Sequence, residues 1–381
     1  MYGAGLIEAL RARTSTNLTF FGAGGERMRT AGCDIVVDAK DLAVVGITEI
    51  FSHLPKILGL YKKLIRAADE RRPDLAVVID SPAFNWRVAR QMRKRGIPVV
   101  YYVCPQFWAW RQGRVKLLRK YVNKALVIFP FEEKFYRERG VDATFVGHPL
   151  ADLPAPAITH AAYAAEHGLD LAKHWITLMP GSRRKEVRMN LPAILEAVDR
   201  MGSNYEFLLP VARTLEPRFL QGLIETRQAA SSHGSGRIRF IPEALPALYH
   251  SRAGIIASGT ATVEAAIMGT PFVMVYRVSP LTYALGKPRI KVAHYAMVNL
   301  IAGQEVVPEL VQSKFTAENI VAELGKILPD GEPRTRMLQG LAAVKEKLRH
   351  GSAGASPSQL VAETILQMIH GVPAPSAHVS G

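Results

Sequence analysis

The sequence predicts an α/β protein made of two doubly wound, Rossmann-like domains joined near residue 150, and three observations carry that expectation. Short runs rich in Val and Ile alternate with longer helical patterns, the signature of parallel βαβ units. At 381 residues the chain exceeds one ordinary core and suits two domains of roughly 150 to 180 residues each. Between the two sets of strand signals lies Gly147-His148-Pro149-Leu150-Ala151-Asp152-Leu153-Pro154-Ala155-Pro156, Pro-rich and without periodicity, as a linker should be.

Taken in order, strands are expected at residues 18–21, 75–79, 99–103, 125–129 and 144–146, then at 175–179, 206–209, 238–241, 254–257 and 272–276. Each is a short apolar run bounded by polar, Gly or Pro residues. Helices are clearest at 262–268, 318–327 and 335–348. The domain division that follows is 1–150, 151–330, helices at 331–370 packing back across both, and a frayed Pro/Ala/Ser/Gly tail at 371–381. One further pattern stands out. Val44, Ile47, Phe51, Leu54, Leu58, Tyr61 and Ile65 follow helical spacing, with Ile50 and Ile57 widening the apolar face and Lys56, Lys62, Lys63 and Arg66 beside it. Such a face covers a core or meets a bilayer, and Pro55 predicts two short helices rather than one long one.

Hydrophobic residues make up 48% of the chain and charged residues 21%, which describes a globular protein and excludes a disordered one. The net charge of +15 calls for an acidic partner: nucleic acid, an anionic membrane surface or a phosphorylated substrate. The basic residues are spread over both halves, which argues against a nucleic-acid footprint. Cys33 and Cys104 stand far apart, so neither a disulfide framework nor a metal site is expected, and a reducing cytoplasm is. No run approaches the roughly 18 apolar residues of a membrane span.

Ligands of doubly wound folds collect beyond the carboxyl ends of strands, so the residues after each strand signal are the candidates. Ile255-Ile256-Ala257 breaks into Ser258-Gly259-Thr260-Ala261-Thr262-Val263-Glu264. Small residues there let an anion approach the backbone, and a helix begins behind them whose first N–H groups can bind it; a capped ordinary helix is the competing reading. Glu264, in the opening turns, could accept hydrogen bonds from sugar hydroxyls. Pro180-Gly181-Ser182-Arg183 forces a tight turn, offers Ser182 as a cap and sets a planar cation at a helix start, where the macrodipole disfavours it unless an anion binds. Asp80, after Leu75-Ala76-Val77-Val78-Ile79, suits a general base toward a hydroxyl or, equally, a helix N-cap before Pro82. Trp108 and Trp110 share one loop and form an apolar surface for acyl chains or sugar faces, or else anchor that loop in the core.

Other motifs fail. Gly22-Ala23-Gly24-Gly25-Glu26 has Arg27 where a dinucleotide fingerprint needs its third glycine, and there is no Asp-x-Asp, G-x-S-x-G elbow or Walker lysine.

Tyr2-Gly3-Ala4-Gly5-Leu6, Gly24-Gly25-Glu26-Arg27-Met28, Val44-Val45-Gly46-Ile47-Thr48-Glu49, Ile79-Asp80-Ser81-Pro82, Trp108-Ala109-Trp110-Arg111, Val146-Gly147-His148-Pro149-Leu150, Leu178-Met179-Pro180-Gly181-Ser182-Arg183 and Ser258-Gly259-Thr260-Ala261-Thr262 together resemble the lipid A disaccharide synthase family. The motifs are collinear and span nearly the whole chain. The resemblance implies the glycosyltransferase B fold, two Rossmann-like domains facing across a cleft. It implies transfer of a diacylglucosamine unit from UDP-2,3-diacylglucosamine to the 6-hydroxyl of 2,3-diacylglucosamine 1-phosphate, with inversion, without a metal or other cofactor, and without nucleic acid. It places the enzyme peripherally on the anionic cytoplasmic face of the inner membrane, and a homodimer is compatible with it. Residue by residue, Asp80 would be the base and Arg183 would stabilise departing UDP. Gly181, Ser182, Ser258, Gly259, Thr260, Ala261, Thr262 and Glu264 would hold the UDP-sugar, and Val44, Val45, Ile47, Phe51, Leu54, Leu58, Trp108 and Trp110 would meet acceptor, acyl chains or membrane.

Two departures accompany the resemblance. The family's Asp-x-Pro-Asp-Phe-Asn reads Asp80-Ser81-Pro82-Ala83-Phe84-Asn85 here, without the second acid. The family's first strand and its Gly-Glu-x-Ser-Gly-Asp loop would precede Met1, so the true start is expected upstream, the neighbours of that strand would lack a partner, and one wall of the cleft would be incomplete. A soluble UDP-N-acetylglucosamine 2-epimerase is the alternative of similar fold; it would need no lipid and no amphipathic surface segment.

Overall fold

The computed structural model describes residues 2–43, 50–212, 214–230, 237–286, 292–349 and 356–370. They fall into two compact units, Met1–Pro149 with His350–Gly381, and Leu150–Arg349.

The first unit holds β1 (Phe20–Gly24), β2 (Cys33–Asp38), β3 (Ala76–Ile79), β4 (Val99–Tyr102), β5 (Lys124–Val127) and β6 (Ala143–Phe145). All pairings are parallel, in a two-stranded β1-β2 ladder and a four-stranded sheet of order β3-β4-β5-β6. Val99, Val100, Tyr101 and Tyr102 are fully buried, so β4 reads as an unbroken apolar run because helices cover both of its faces. Val37, Val78, Val88, Ala89, Met92 and Val127 join one core beneath it.

The second unit holds β7 (His174–Met179), β8 (Tyr205–Pro210), β9 (Arg237–Ile241), β10 (Ala253–Ala257), β11 (Phe272–Tyr276) and β12 (Glu309–Val311). These form one parallel sheet of order β12-β11-β10-β7-β8-β9. Every residue of β10 is buried, as a central strand requires.

All ten expected strands are present within a few residues of their expected bounds. Among the described residues two more occur: β2, whose Asp34 and Asp38 interrupt the apolar pattern, and β12, only three residues long and opened by Glu309. The segment around Pro55 forms one continuous helix, Ile50–Arg71, rather than two. Pro55 is in the second turn and removes a single backbone bond, while Leu64, Ala67 and Ala68 farther along are buried against the core and hold the helix together. Near the other end of the chain, helix Glu332–Leu348 buries Leu341 and Val344 within the second unit. Helix Pro357–His370 instead packs against helix Tyr2–Arg13 of the first.

Candidate active site

In the second unit the chain steps outward from β7 to β9, returns to lay β10 on the other side of β7, and steps outward again to β12. Strand order therefore reverses between β7 and β10, and doubly wound sheets hold their ligands at the carboxyl ends of such a pair. Ile256 pairs with Met179, so the tracts 180–183 and 258–264 leave the sheet side by side.

Helix Ala261–Met268 starts in this crevice, and no side chain caps it. Thr260 occupies the N-cap position in a helical conformation without a cap bond. Thr262 Oγ1 donates to the Gly259 carbonyl at 2.8 Å, and Ser258 Oγ donates to the Tyr295 carbonyl at 2.8 Å. Both hydroxyls are thus committed to shaping the loop. The first N–H groups of the helix point outward, with the positive end of its dipole, toward whatever fills the crevice. Gly259 holds φ +143°, a conformation side-chain-bearing residues avoid. Glu264 is half-buried, and burial raises its carboxyl above the ordinary range.

Residues 180–183 complete the floor. Arg183 itself, not Ser182, occupies the N-cap of helix Arg184–Met201. Its Nη1 donates to Glu186 Oε1 at 2.8 Å, while Glu186 Oε2 accepts the Ser182 N–H at 3.2 Å. Glu186 in the first turn offsets the misfit of a cation at a helix start and leaves the guanidinium, 75% exposed, facing solvent. Buried Asn190 ties this loop to the chain just beyond β11: Nδ2 donates to the Pro180 carbonyl at 2.8 Å and Oδ1 accepts the Arg277 N–H at 3.2 Å.

Sequence reasoning missed a third wall. The Glu309 carboxylate accepts from the N–H groups of Tyr295 and Ala296 and from Asn299 Nδ2, all at 2.9 Å for the nearer oxygen. Asn299, fully buried, also accepts from the Val306 and Val307 N–H groups. Together they hold the Tyr295 carbonyl where Ser258 meets it. A charged residue opening a three-residue strand was the only sign.

In the first unit, Asp80 and Ser81 follow β3 with φ +47° and +45°, and Val103 follows β4 with φ +58°. Three side-chain-bearing residues in the left-handed region at one sheet edge mark stored strain. The Asp80 peptide is fixed by its N–H to the Tyr102 carbonyl, and its own carbonyl accepts Tyr101 OH at 2.8 Å and Asn85 Nδ2 at 2.7 Å. Ser81, not Asp80, is the N-cap of helix Pro82–Lys94, so the capping role is excluded for Asp80, whose side chain is exposed.

The two loop tryptophans separate. Trp108 is buried, against the expectation of a contact surface: its Nε1 donates to Glu132 Oε1 at 2.9 Å, and only a partner inside the core satisfies that N–H. Trp110 is 50% exposed and remains available. Of the apolar segment, Val44, Val45 and Ile47 lie outside the described residues, and Phe51 and Leu54 belong to helix Ile50–Arg71, described there by its backbone alone. Leu58 is 49% exposed, whereas Leu60, Tyr61 and Ile65 pack on the core. One stripe thus divides between solvent and interior.

A sequence model of the family described as Lipid-A-disaccharide synthetase matches residues 1–363. The lipid-A-disaccharide synthase of Koribacter versatilis is 50% identical over 368 residues, 97% of this chain and 95% of the relative. That of Acidobacterium capsulatum is 48% identical over 374 residues, 96% and 93% of the two chains. Among solved structures, the UDP-GlcNAc 2-epimerase from Neisseria meningitidis bound to UDP-GlcNAc is similar with a TM-score of 0.61 at 13% identity, covering 96% of this chain and 95% of that one. CalG4, the calicheamicin glycosyltransferase, is similar with a TM-score of 0.57 at 14% identity, covering 98% and 95%. At such identities the structures share the fold alone, two Rossmann-like domains of the glycosyltransferase B class. The sequence relationship is of another order, and it shows that the chain belongs to the lipid-A-disaccharide synthase family and is a glycosyltransferase of lipid A biosynthesis.

Proposed function

We propose that the chain transfers 2,3-diacylglucosamine from its UDP carrier to the 6-hydroxyl of 2,3-diacylglucosamine 1-phosphate, with inversion. The acceptor oxygen attacks the anomeric carbon from the face opposite UDP, the bond from that carbon to the diphosphate oxygen breaks, and its electron pair leaves with UDP. Asp80 takes the hydroxyl proton. The observation that carries this reading is the uncapped start of helix Ala261–Met268 at the switch point, with Arg183 on the adjoining loop. Backbone N–H groups of residues 259–261 and the Arg183 guanidinium meet the diphosphate, and Glu264 meets the ribose hydroxyls. These positive groups supply the countercharge that many transferases take from a divalent ion, so the reaction proceeds without one.

Both acylated substrates belong to a membrane, and the enzyme works on its anionic cytoplasmic face. The exposed Leu58 within a basic, amphipathic helix supports that contact. Among the described residues no helix is long and apolar enough to cross a membrane.

The test is UDP release from UDP-2,3-diacylglucosamine with and without the monosaccharide acceptor, in the presence of a chelator. Acceptor-dependent release is expected, undiminished by the chelator. Asp80→Ala should lower kcat by about 10²- to 10⁴-fold, the range for a lost general base, and Arg183→Ala should lower kcat/KM for the donor. A near-normal rate in the Asp80 variant removes it as the base.

A further inference from the structure

The loop that leaves β4 carries two cations that the reaction described above leaves unused. It runs from strained Val103 through helix Phe107–Trp110 and a tight turn at Gln112–Arg114 into helix Val115–Tyr121. Ile79 pairs with Tyr102, so this loop and Asp80 leave the same sheet edge from neighbouring strands.

Two buried anchors fix the loop. The Tyr136 hydroxyl donates to the Pro105 carbonyl, and Trp108 Nε1 donates to Glu132, whose other oxygen accepts the Phe129 N–H at 3.2 Å. Gln112 Nε2 closes back on the Trp108 carbonyl at 3.0 Å, and the Arg114 N–H donates to the Arg111 carbonyl at 2.8 Å. Arg111 and Arg114 are therefore held one turn apart on a rigid wall. Both are exposed. The Arg111 guanidinium lies 3.8 Å from the centroid of half-exposed Trp110, which orients its plane. Partial burial and the neighbouring Arg114 charge lower the Arg111 pKa, and no carboxylate opposes them. Neither arginine has an ion-pair partner among the described residues.

Two like charges held together without a counterion await an anion. A phosphomonoester suits them: it carries close to two negative charges at neutral pH and offers oxygens that guanidinium groups bind in pairs. We infer that Arg111 and Arg114 seat the phosphate of the acceptor sugar, making this loop the determinant of acceptor specificity. The inference rests on the proposed reaction, in which the acceptor and not the donor carries a phosphomonoester. An anionic lipid headgroup would present related chemistry to the same pair.

The experiment compares the 1-phosphate acceptor with 2,3-diacylglucosamine lacking the phosphate, both in neutral detergent micelles, alongside binding to vesicles containing phosphatidylglycerol. Arg111→Ala and Arg114→Ala should each raise KM for the phosphorylated acceptor about ten- to a hundredfold, leave the donor KM within about twofold, and leave the poor rate on the dephosphorylated acceptor unchanged. In the double variant the preference for the phosphorylated acceptor should vanish, and Arg111→Lys should recover part of it. Equal losses on both acceptors would mean a structural effect and would overturn the assignment. So would an unchanged acceptor KM with weakened vesicle binding, which would assign the pair to lipid headgroups. If the wild-type enzyme transfers to neither acceptor, the reaction itself fails; if it transfers and the variants match it, only the phosphate seat fails.

Discussion

Gly181 is fixed twice over. Its φ of +129° lies where an L side chain is strained, and a Cβ there would sit 2.8 Å from the Cβ of Glu186, the residue that orients Arg183. Gly181→Ala should cost about 1–2 kcal/mol of stability and raise the donor KM by displacing Glu186; chemical denaturation and donor kinetics read the two effects separately. Ser81 poses the opposite case. It tolerates φ +45° without making a cap bond, so Ser81→Gly should gain about 1 kcal/mol in unfolding experiments while lowering kcat as the Asp80 peptide loosens. No gain in stability would mean that the strain is illusory. Residue type marked Asp80 and Arg183 as candidates, because a carboxylate and a guanidinium directly after strand signals suit chemistry as well as capping. It did not reveal Glu309 or Asn299, which act by holding backbone groups of neighbouring loop segments, and no sequence pattern marks that use.

At the scale of elements, the wall built on Trp108 depends on one buried carboxyl. Glu132 is 1% exposed, and burial pushes its pKa up to about 8, only partly countered by the Trp108 and backbone N–H groups. A group whose pKa is raised on folding stabilises the native state below its ordinary value of about 4.5 and loses that contribution as pH climbs to about 8. The loss is of order 5 kcal/mol. Glu132→Gln should therefore flatten the alkaline side of the stability profile, measured as Tm against pH, with Gln112 and Trp108 still in place. His148 shapes the acid side. Burial lowers its pKa to about 4, so the unfolded chain takes up a proton first, and stability should fall as pH drops from 6.5 toward 4. His148→Gln should remove that decline. Ten strands were readable from apolar runs, whereas β2 and β12, broken by acidic residues, were not. Helix continuity at Pro55 was not, because proline chemistry is local and the burial of Leu64 and Ala68 that outweighs it is tertiary.

At the scale of the molecule, alternation of strand and helix announced the architecture, and the Pro-rich stretch after Gly147 announced where it divides. The helices expected at 331–370 to pack back across both domains divide between the units, Glu332–Leu348 in the second and Pro357–His370 in the first. Helix Pro357–His370 follows the second unit in sequence, yet it packs against helix Tyr2–Arg13 of the first, and its Val361, Ala362 and Ile365 are buried. Ile365→Ala should destabilise that contact by about 2–4 kcal/mol, and hydrogen exchange should quicken in Tyr2–Arg13 while β7, β10 and β11 stay protected. During synthesis this arrangement imposes an order. Residues 150–349 must be translated before the closing helix exists, which at about 5–20 residues per second leaves the apolar face of the opening helix uncovered for some 10–40 s. A nascent chain of this kind offers a window for chaperones that a unit folded from one contiguous segment would never open.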